Sequence, residues 1–213
     1  MADKNPFFSI EPRKEHIFGV DLKKLKDYAK RLAKGRALVI ISGEHGAGKS
    51  AVSMKLESEL PKSVKKIKLL CSLNLKKELK SLKAKKKTVV FIEKFFICLS
   101  LKENDIRTIV NDIASMVHSG LSVVITASPT LAASIPYMSN KLSNVLVFDI
   151  PPLSFEDTQK MVALRLNEIR KKKSDSITPF TENEILQVWR TANGNPKMIL
   201  LLCASLYEAK GSS

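Results

Sequence analysis

Apolar positions follow two alternating rhythms up to about residue 150, and only one rhythm after it. From Asp21 to Lys34, Leu22, Leu25, Ala29, Leu32 and Ala33 fall on one face at helical spacing. "ALVIIS" (37–42) is instead a continuous apolar run rich in β-branched residues, as a strand covered on both sides requires. A helix is expected after glycines 46 and 48, ending at Pro61. A strand at "VKKIKLL", a helix at "LKKELKSLK" and a buried strand at "TVVFI" (88–92) follow. Residues 104–119 place Ile106, Ile109, Val110, Ile113, Met116 and Val117 at helical spacing, closed by Gly120. "LSVVITAS" (121–128) and "NVLVFDI" (144–150) read as the last two strands.

Strands alternating with helices predict an α/β fold in three layers, with a parallel five-stranded sheet covered on both faces. After "PPL" (151–153) only helical spacing remains, over 155–173, 182–192 and 196–210, with "KKKSDSITPF" as a connecting loop. Ser154 with Asp157 and Thr181 with Glu184 mark helix starts, and Asn195-Pro196 sets a cap before proline at the first helical position. The expected organisation is a core over 1–150 and a small α-helical domain over 151–213.

"GEHGAGKS", Gly43 to Ser50, changes the picture from fold to chemistry. It matches G-x-x-x-x-G-K-[ST], and it lies between an expected strand and an expected helix, the setting of a phosphate loop. Gly43, Gly46 and Gly48 permit backbone conformations that turn successive N–H groups toward a polyphosphate. Glu44, His45, Ala47 and Ala51 complete the cradle, and the helix N-terminus adds its dipole. Lys49 is assigned to the β and γ phosphates of ATP, and Ser50 to Mg²⁺. Glu93, ending the "TVVFIE" strand, is the second expected magnesium ligand. The following residue is Lys94, which cannot take a proton from water unless burial strongly lowers its pKa. Either Glu93 serves as both ligand and base, or an acid such as Glu44 reaches in; on either route hydrolysis is expected to be slow. Ser128, at the end of "VVITAS", is a candidate for orienting the attacking water.

Charge bears on partners. Lys+Arg number 36 and Asp+Glu 21, a formal +15, a field that attracts polyanions: nucleic acid first, an anionic membrane surface second. Lysines concentrate in residues 61–87, and lysine rather than arginine favours backbone attraction over base readout. No apolar run reaches the ~18 residues of a membrane-spanning helix, and the N-terminus lacks a signal-peptide layout. Cys71, Cys98 and Cys203 sit among apolar residues and read as free buried thiols of a cytoplasmic protein. His16, His45 and His118 are scattered and suggest no metal site.

Taken together, "FGVD" (18–21), "GEHGAGKS", "VVFIEK", "VVITASP", "PPLSFEDTQKMVALRL" and "ANGNPKMIL" resemble the AAA+ ATPases, most closely the initiator branch of origin-recognition, DnaA-type and transposition ATPases. The resemblance covers nearly the whole chain. It implies a helical lid, an adenine site near Ile17, Phe18 and Gly19, and a lid sensor of the γ-phosphate at Lys197, where relatives usually carry arginine. It implies a finger donated to the neighbouring subunit of a nucleotide-dependent homo-oligomer; "MSNKLSNV" offers Lys141 there. The winged helix that many initiators carry after the lid is not expected here, so DNA binding should be electrostatic, with specificity supplied by a protein partner. Two functional classes follow: a nucleotide switch on DNA, in replication initiation or transposition, and a STAND-like regulatory NTPase that gates a protein partner.

Overall fold

The computed structural model describes residues 5–14, 17–72, 74–82, 87–95, 103–142 and 144–211. His16, Cys98 and the lysines at 83, 85 and 86 lie outside the described residues. The chain forms two compact units, one of residues 21–44 and 49–150, the other of residues 1–20, 45–48 and 151–213.

The first unit is the expected α/β architecture. Its strands are β1 (Leu38–Ser42), β2 (Lys65–Leu70), β3 (Thr88–Glu93), β4 (Ser122–Ala127) and β5 (Val145–Asp149). They form one parallel sheet in the order β2-β3-β4-β1-β5. Hydrophobicity dictates that order. β1 and β4 are buried at every position and β3 at all but its last, so these take the centre, while the partly exposed β2 and β5 form the edges.

The helices of this unit are α1 (Leu22–Lys34), α2 (Lys49–Glu59), α3 (Leu75–Ser81), α4 (Glu103–His118) and α5 (Pro129–Ser134). α4 buries Ile106, Ile109, Val110, Ile113 and Val117 in one cluster with Leu38, Ile40, Val90, Ile92, Val123 and Ile125, the residues of one sheet face. Val39, Ile41, Val89, Phe91 and Val124 alternate onto the opposite face and are equally buried. There α1 contributes Leu25, Ala29 and Leu32, and α2 contributes Val52 and Leu56. Each such aliphatic side chain contributes about 1.5–3 kcal/mol when fully buried.

The second unit contains α6 (Phe155–Leu166), α7 (Glu182–Ala192) and α8 (Pro196–Gly211). Ser154 caps α6 by accepting the Asp157 amide, and Thr181 with Glu184 forms a reciprocal capping box on α7. The helix expected over 155–173 ends at Leu166, seven residues early. Past it, the Arg170 guanidinium donates to the carbonyls of Ser174, Ser176 and Thr178, an alternative to helical pairing for an irregular stretch. Phe7 is fully buried against Phe180 and Tyr207, which ties the N-terminal stretch into the helical core. Asn5 reinforces it, its amide donating to the Ala204 carbonyl at 2.9 Å.

The expectation of three free thiols is corrected. Cys71 is disulfide-bonded. Spacing along the chain says nothing of which cysteines meet in space. Cys203 is a free buried thiol, and burial pushes its pKa up to about 12. Among the described residues no helix is long and apolar enough to cross a membrane.

Candidate functional site

The phosphate-loop sequence leaves the C-terminal end of β1 and enters α2, whose first residue is Lys49. Its start is fixed by the Gly43 amide, which donates to the Ala127 carbonyl at the end of β4 (3.3 Å). The Lys49 ammonium folds back on the loop, donating to the carbonyls of Gly43 and Glu44 at 2.8 Å each. Burial lowers its pKa below the usual lysine value, and the Glu44 carboxylate opposes that shift. A half-buried cation holding only carbonyl oxygens is poised to exchange them for a stronger anionic partner.

At the end of β3, the Glu93 carboxylate is held by hydroxyls. Ser53 Oγ donates to one oxygen at 2.5 Å, and Ser50 Oγ (3.3 Å) and Thr126 Oγ1 (3.4 Å) donate to the other. Ser50 and Ser53 stand three residues apart on α2 and therefore share a face. Thr126 Oγ1 also accepts the Lys94 amide at 2.9 Å, linking β4 to the turn after β3. Lys94 itself adopts φ 56° and exposes its side chain. The hydroxyl of Ser50 and the carboxylate of Glu93 are hard oxygen donors 3.3 Å apart, a set that fits Mg²⁺ rather than a softer metal. No cluster of three or more His, Cys, Asp or Glu suited to a metal occurs among the described residues.

Residues 45–48 of the loop belong with the helical unit, and the bonds there explain why. Asn195 is the centre of the arrangement. Its Oδ1 accepts the amides of Lys197 (3.1 Å) and Met198 (3.3 Å), capping α8, while its Nδ2 donates to the His45 carbonyl at 2.7 Å. The Lys197 amide also donates to the Gly46 carbonyl (3.3 Å). Lys197 Nζ lies 3.3 Å from His45 Nε2; an ammonium can only donate, so that ring nitrogen accepts. Asn193 and Gly194 take left-handed conformations that turn the chain sharply between α7 and α8. Leu153 completes the turn, its amide donating to the Gly194 carbonyl and its own carbonyl accepting Trp189 Nε1, both at 2.8 Å. Asn195→Ala removes the cap and the tie to His45 together; a loss of about 1 kcal/mol in stability is expected, with weaker nucleotide affinity, measured by thermal unfolding and titration calorimetry.

The remaining candidates are placed as follows. Phe18 is half-buried against the helical core and walls an open cleft of about 660 Å³ shared with Gln159, Ala163, Leu164 and Ile177. Ser128 caps α5, its Oγ accepting the Leu131 amide at 3.4 Å. Lys141 is exposed in the turn after the 3-10 segment Ile135–Met138, and among the described residues its ammonium makes no ion pair. Sequence reasoning missed Ser53 and Thr126, and of Asn195 it read the helix cap but not the bond to the His45 carbonyl. The repeat of serine at positions 50 and 53 was the available signal for the first; the second depends on strand register, and the bond to His45 on a turn.

Comparison with known proteins bears on the family and the fold. The profile of the family described as "Novel STAND NTPase 3" matches residues 20–173. Among solved structures, the Walker-type ATPase PABY2304 of Pyrococcus abyssi superposes with a TM-score of 0.58 at 13% identity, over 95% of this chain and 71% of that one. The Aeropyrum pernix ORC1 protein, solved in complex with DNA, gives 0.60 at 15% identity, over 94% of this chain and 61% of that one. Domain III of Thermotoga maritima DnaA gives 0.54 at 15% identity, over 89% and 94%. At such identities the likeness is one of fold. A curated relative, an uncharacterized HTH-type transcriptional regulator of Methanocaldococcus jannaschii, is 24% identical over 89 residues, 41% of this chain and 22% of that protein's length.

Proposed function

This chain belongs to the novel STAND NTPase 3 family, and from that footing we propose that it is an ATP·Mg²⁺-binding switch of slow turnover that acts on DNA. Residues Gly43 to Ala51 would hold the triphosphate, with Lys49 on the β and γ oxygens, Phe18 near the base and Lys197 sensing the γ-phosphate from the helical segment 151–213. Ser50 and Glu93 would hold the magnesium ion, which when bound neutralises charge on the phosphate oxygens.

The observation that carries slow turnover is the end of β3. Glu93 is engaged by Ser50, Ser53 and Thr126, so its oxygens are committed to positioning. The next side chain is the exposed Lys94, a donor where a base would be needed. Lys141 and Lys197 stand where the resemblance implies arginines, and a point charge replaces a bidentate fork at each. Lys94→Glu should raise ATP turnover by at least about tenfold, since a positioned base contributes typically 10²–10⁴-fold. Steady-state phosphate release measures it; an unchanged rate, with nucleotide affinity retained, would show that the base is not what limits turnover.

The DNA part rests on the formal +15 and on fold likeness to initiators, one of them solved with DNA. Within the AAA+ class this favours the initiator branch, assembling into a nucleotide-dependent homo-oligomer. The family match favours a second reading, a regulatory module whose nucleotide state gates a protein partner. Duplex affinity measured with ATP and with ADP separates the two: nucleotide- and salt-dependent binding supports the first, and absence of duplex binding leaves the second.

A further inference from the structure

We propose that the free edge of the sheet, strand β2 with the adjoining α3, is a docking surface for the phosphate backbone of duplex DNA. The inference rests on the DNA-acting reading above and assigns it a place. Residues 61–87 hold eleven lysines against one acid, Glu78, so this segment alone carries +10 of the chain's +15.

The fold brings the described lysines of that run, from Lys62 to Lys80, to one edge of the sheet. Among the described residues β2 pairs only with β3, which leaves its other edge without a strand partner there. Ile67 and Leu69 turn into the core that α3 covers with Leu75 and Leu79, so Lys66 and Lys68 project from the other face and the lysines of β2 and of α3 flank the edge on its two sides. Nearby acids neutralise only part of the charge: Glu57 pairs with Lys68 at 2.6 Å, and Glu59 is taken by Lys55 at 2.7 Å. Lys62, Lys65 and Lys66, and Lys76, Lys77 and Lys80 of α3, form no ion pair among the described residues.

Protection of an edge strand against aggregation accounts for lysines on β2. It does not account for those on α3, which is no edge. Lys76 and Lys80 are four apart on one helix, a like-charge pair that destabilises it by a few tenths of a kcal/mol (about 0.2–0.5). A bound polyanion offsets that repulsion. Residues 61–82 contain no aromatic side chain on which unpaired bases would stack, which favours a duplex over a single strand.

The test uses the full chain and a fluorescein-labelled duplex of arbitrary sequence, with anisotropy read across a salt series. Lys65→Ala/Lys66→Ala/Lys76→Ala/Lys77→Ala should weaken binding by about 10²-fold, and lower the slope of log K against log salt by about 3–4, at ~0.9 per lost phosphate contact. A charge-matched control, Lys34→Ala/Lys171→Ala/Lys172→Ala/Lys173→Ala, should bind nearly as wild type. The four edge lysines changed to arginine should retain binding. ATP affinity, measured in parallel, should stay unchanged in all three variants. Wild-type affinity and slope in the edge variant overturn this placement and leave the DNA reading standing; so does an equal loss in the control. Absence of duplex binding by the wild type, including the case where only phosphatidylserine vesicles are bound, overturns both.

Discussion

Replacing Lys49 by alanine will abolish measurable ATP binding while leaving the fold intact. In the structure the Lys49 ammonium holds two loop carbonyls, Gly43 and Glu44, at 2.8 Å each. Its pKa is depressed by burial, so the charge is held at a cost. A triphosphate would relieve that cost. Two charge-assisted hydrogen bonds of about 1.5–3 kcal/mol each amount to a loss of about 10²- to 10⁴-fold in affinity. Water can take the exposed Glu44 carbonyl released by alanine, whereas Gly43 is buried, so a loss of about 1–3 kcal/mol in stability without nucleotide is expected from its unpaired carbonyl. The signature is the disappearance of the ATP-dependent rise in Tm. Titration calorimetry showing wild-type affinity in Lys49→Ala would remove the phosphate-loop assignment.

Two glycines of the same loop make a paired prediction, because their backbones match and their surroundings do not. Gly46 and Gly48 adopt φ of +85° and +91°, so alanine at either is strained by about 1–2 kcal/mol. A Cβ on Gly48 would meet nothing within 4 Å, whereas one on Gly46 would lie 2.7 Å from Asn195 Oδ1 and 2.8 Å from Lys197 Cβ. Gly46→Ala must therefore displace the start of α8 as well. It should destabilise by about 3 kcal/mol or more, combining strain with loss of the Asn195 cap, and bind nucleotide far more weakly. Gly48→Ala should show strain alone in chemical unfolding. Equal destabilisation by the two would mean that the approach of Asn195 to the loop contributes nothing.

Much of the α/β unit was legible because hydrophobic period is a local property. "ALVIIS", "TVVFI" and "LSVVITAS" could only be strands covered on both faces, and they are the three central ones. The lysine-rich "VKKIKLL" read only as a strand, and its place at the edge came from the sheet order. Helix caps were equally readable, since Ser154, Thr181 and Glu184 act within three residues of themselves. The overlong helix at 155–173 failed for the opposite reason: Arg170 pairs with carbonyls up to eight residues away, beyond the reach of periodicity.

By itself the sequence determined the layers, the phosphate-loop segment and the presence of one strand-end carboxylate followed by a lysine. Each is written in contiguous residues, where side-chain period and backbone freedom act without help from the rest of the chain. Only the tertiary structure decided that Ser53 and Thr126 grip Glu93, that Phe7 is anchored between Phe180 and Tyr207, that Asn195 reaches His45, and that Cys71 is oxidised. Those contacts join positions from tens to two hundred residues apart. Their geometry is set by strand register and helix packing, and no local pattern encodes either.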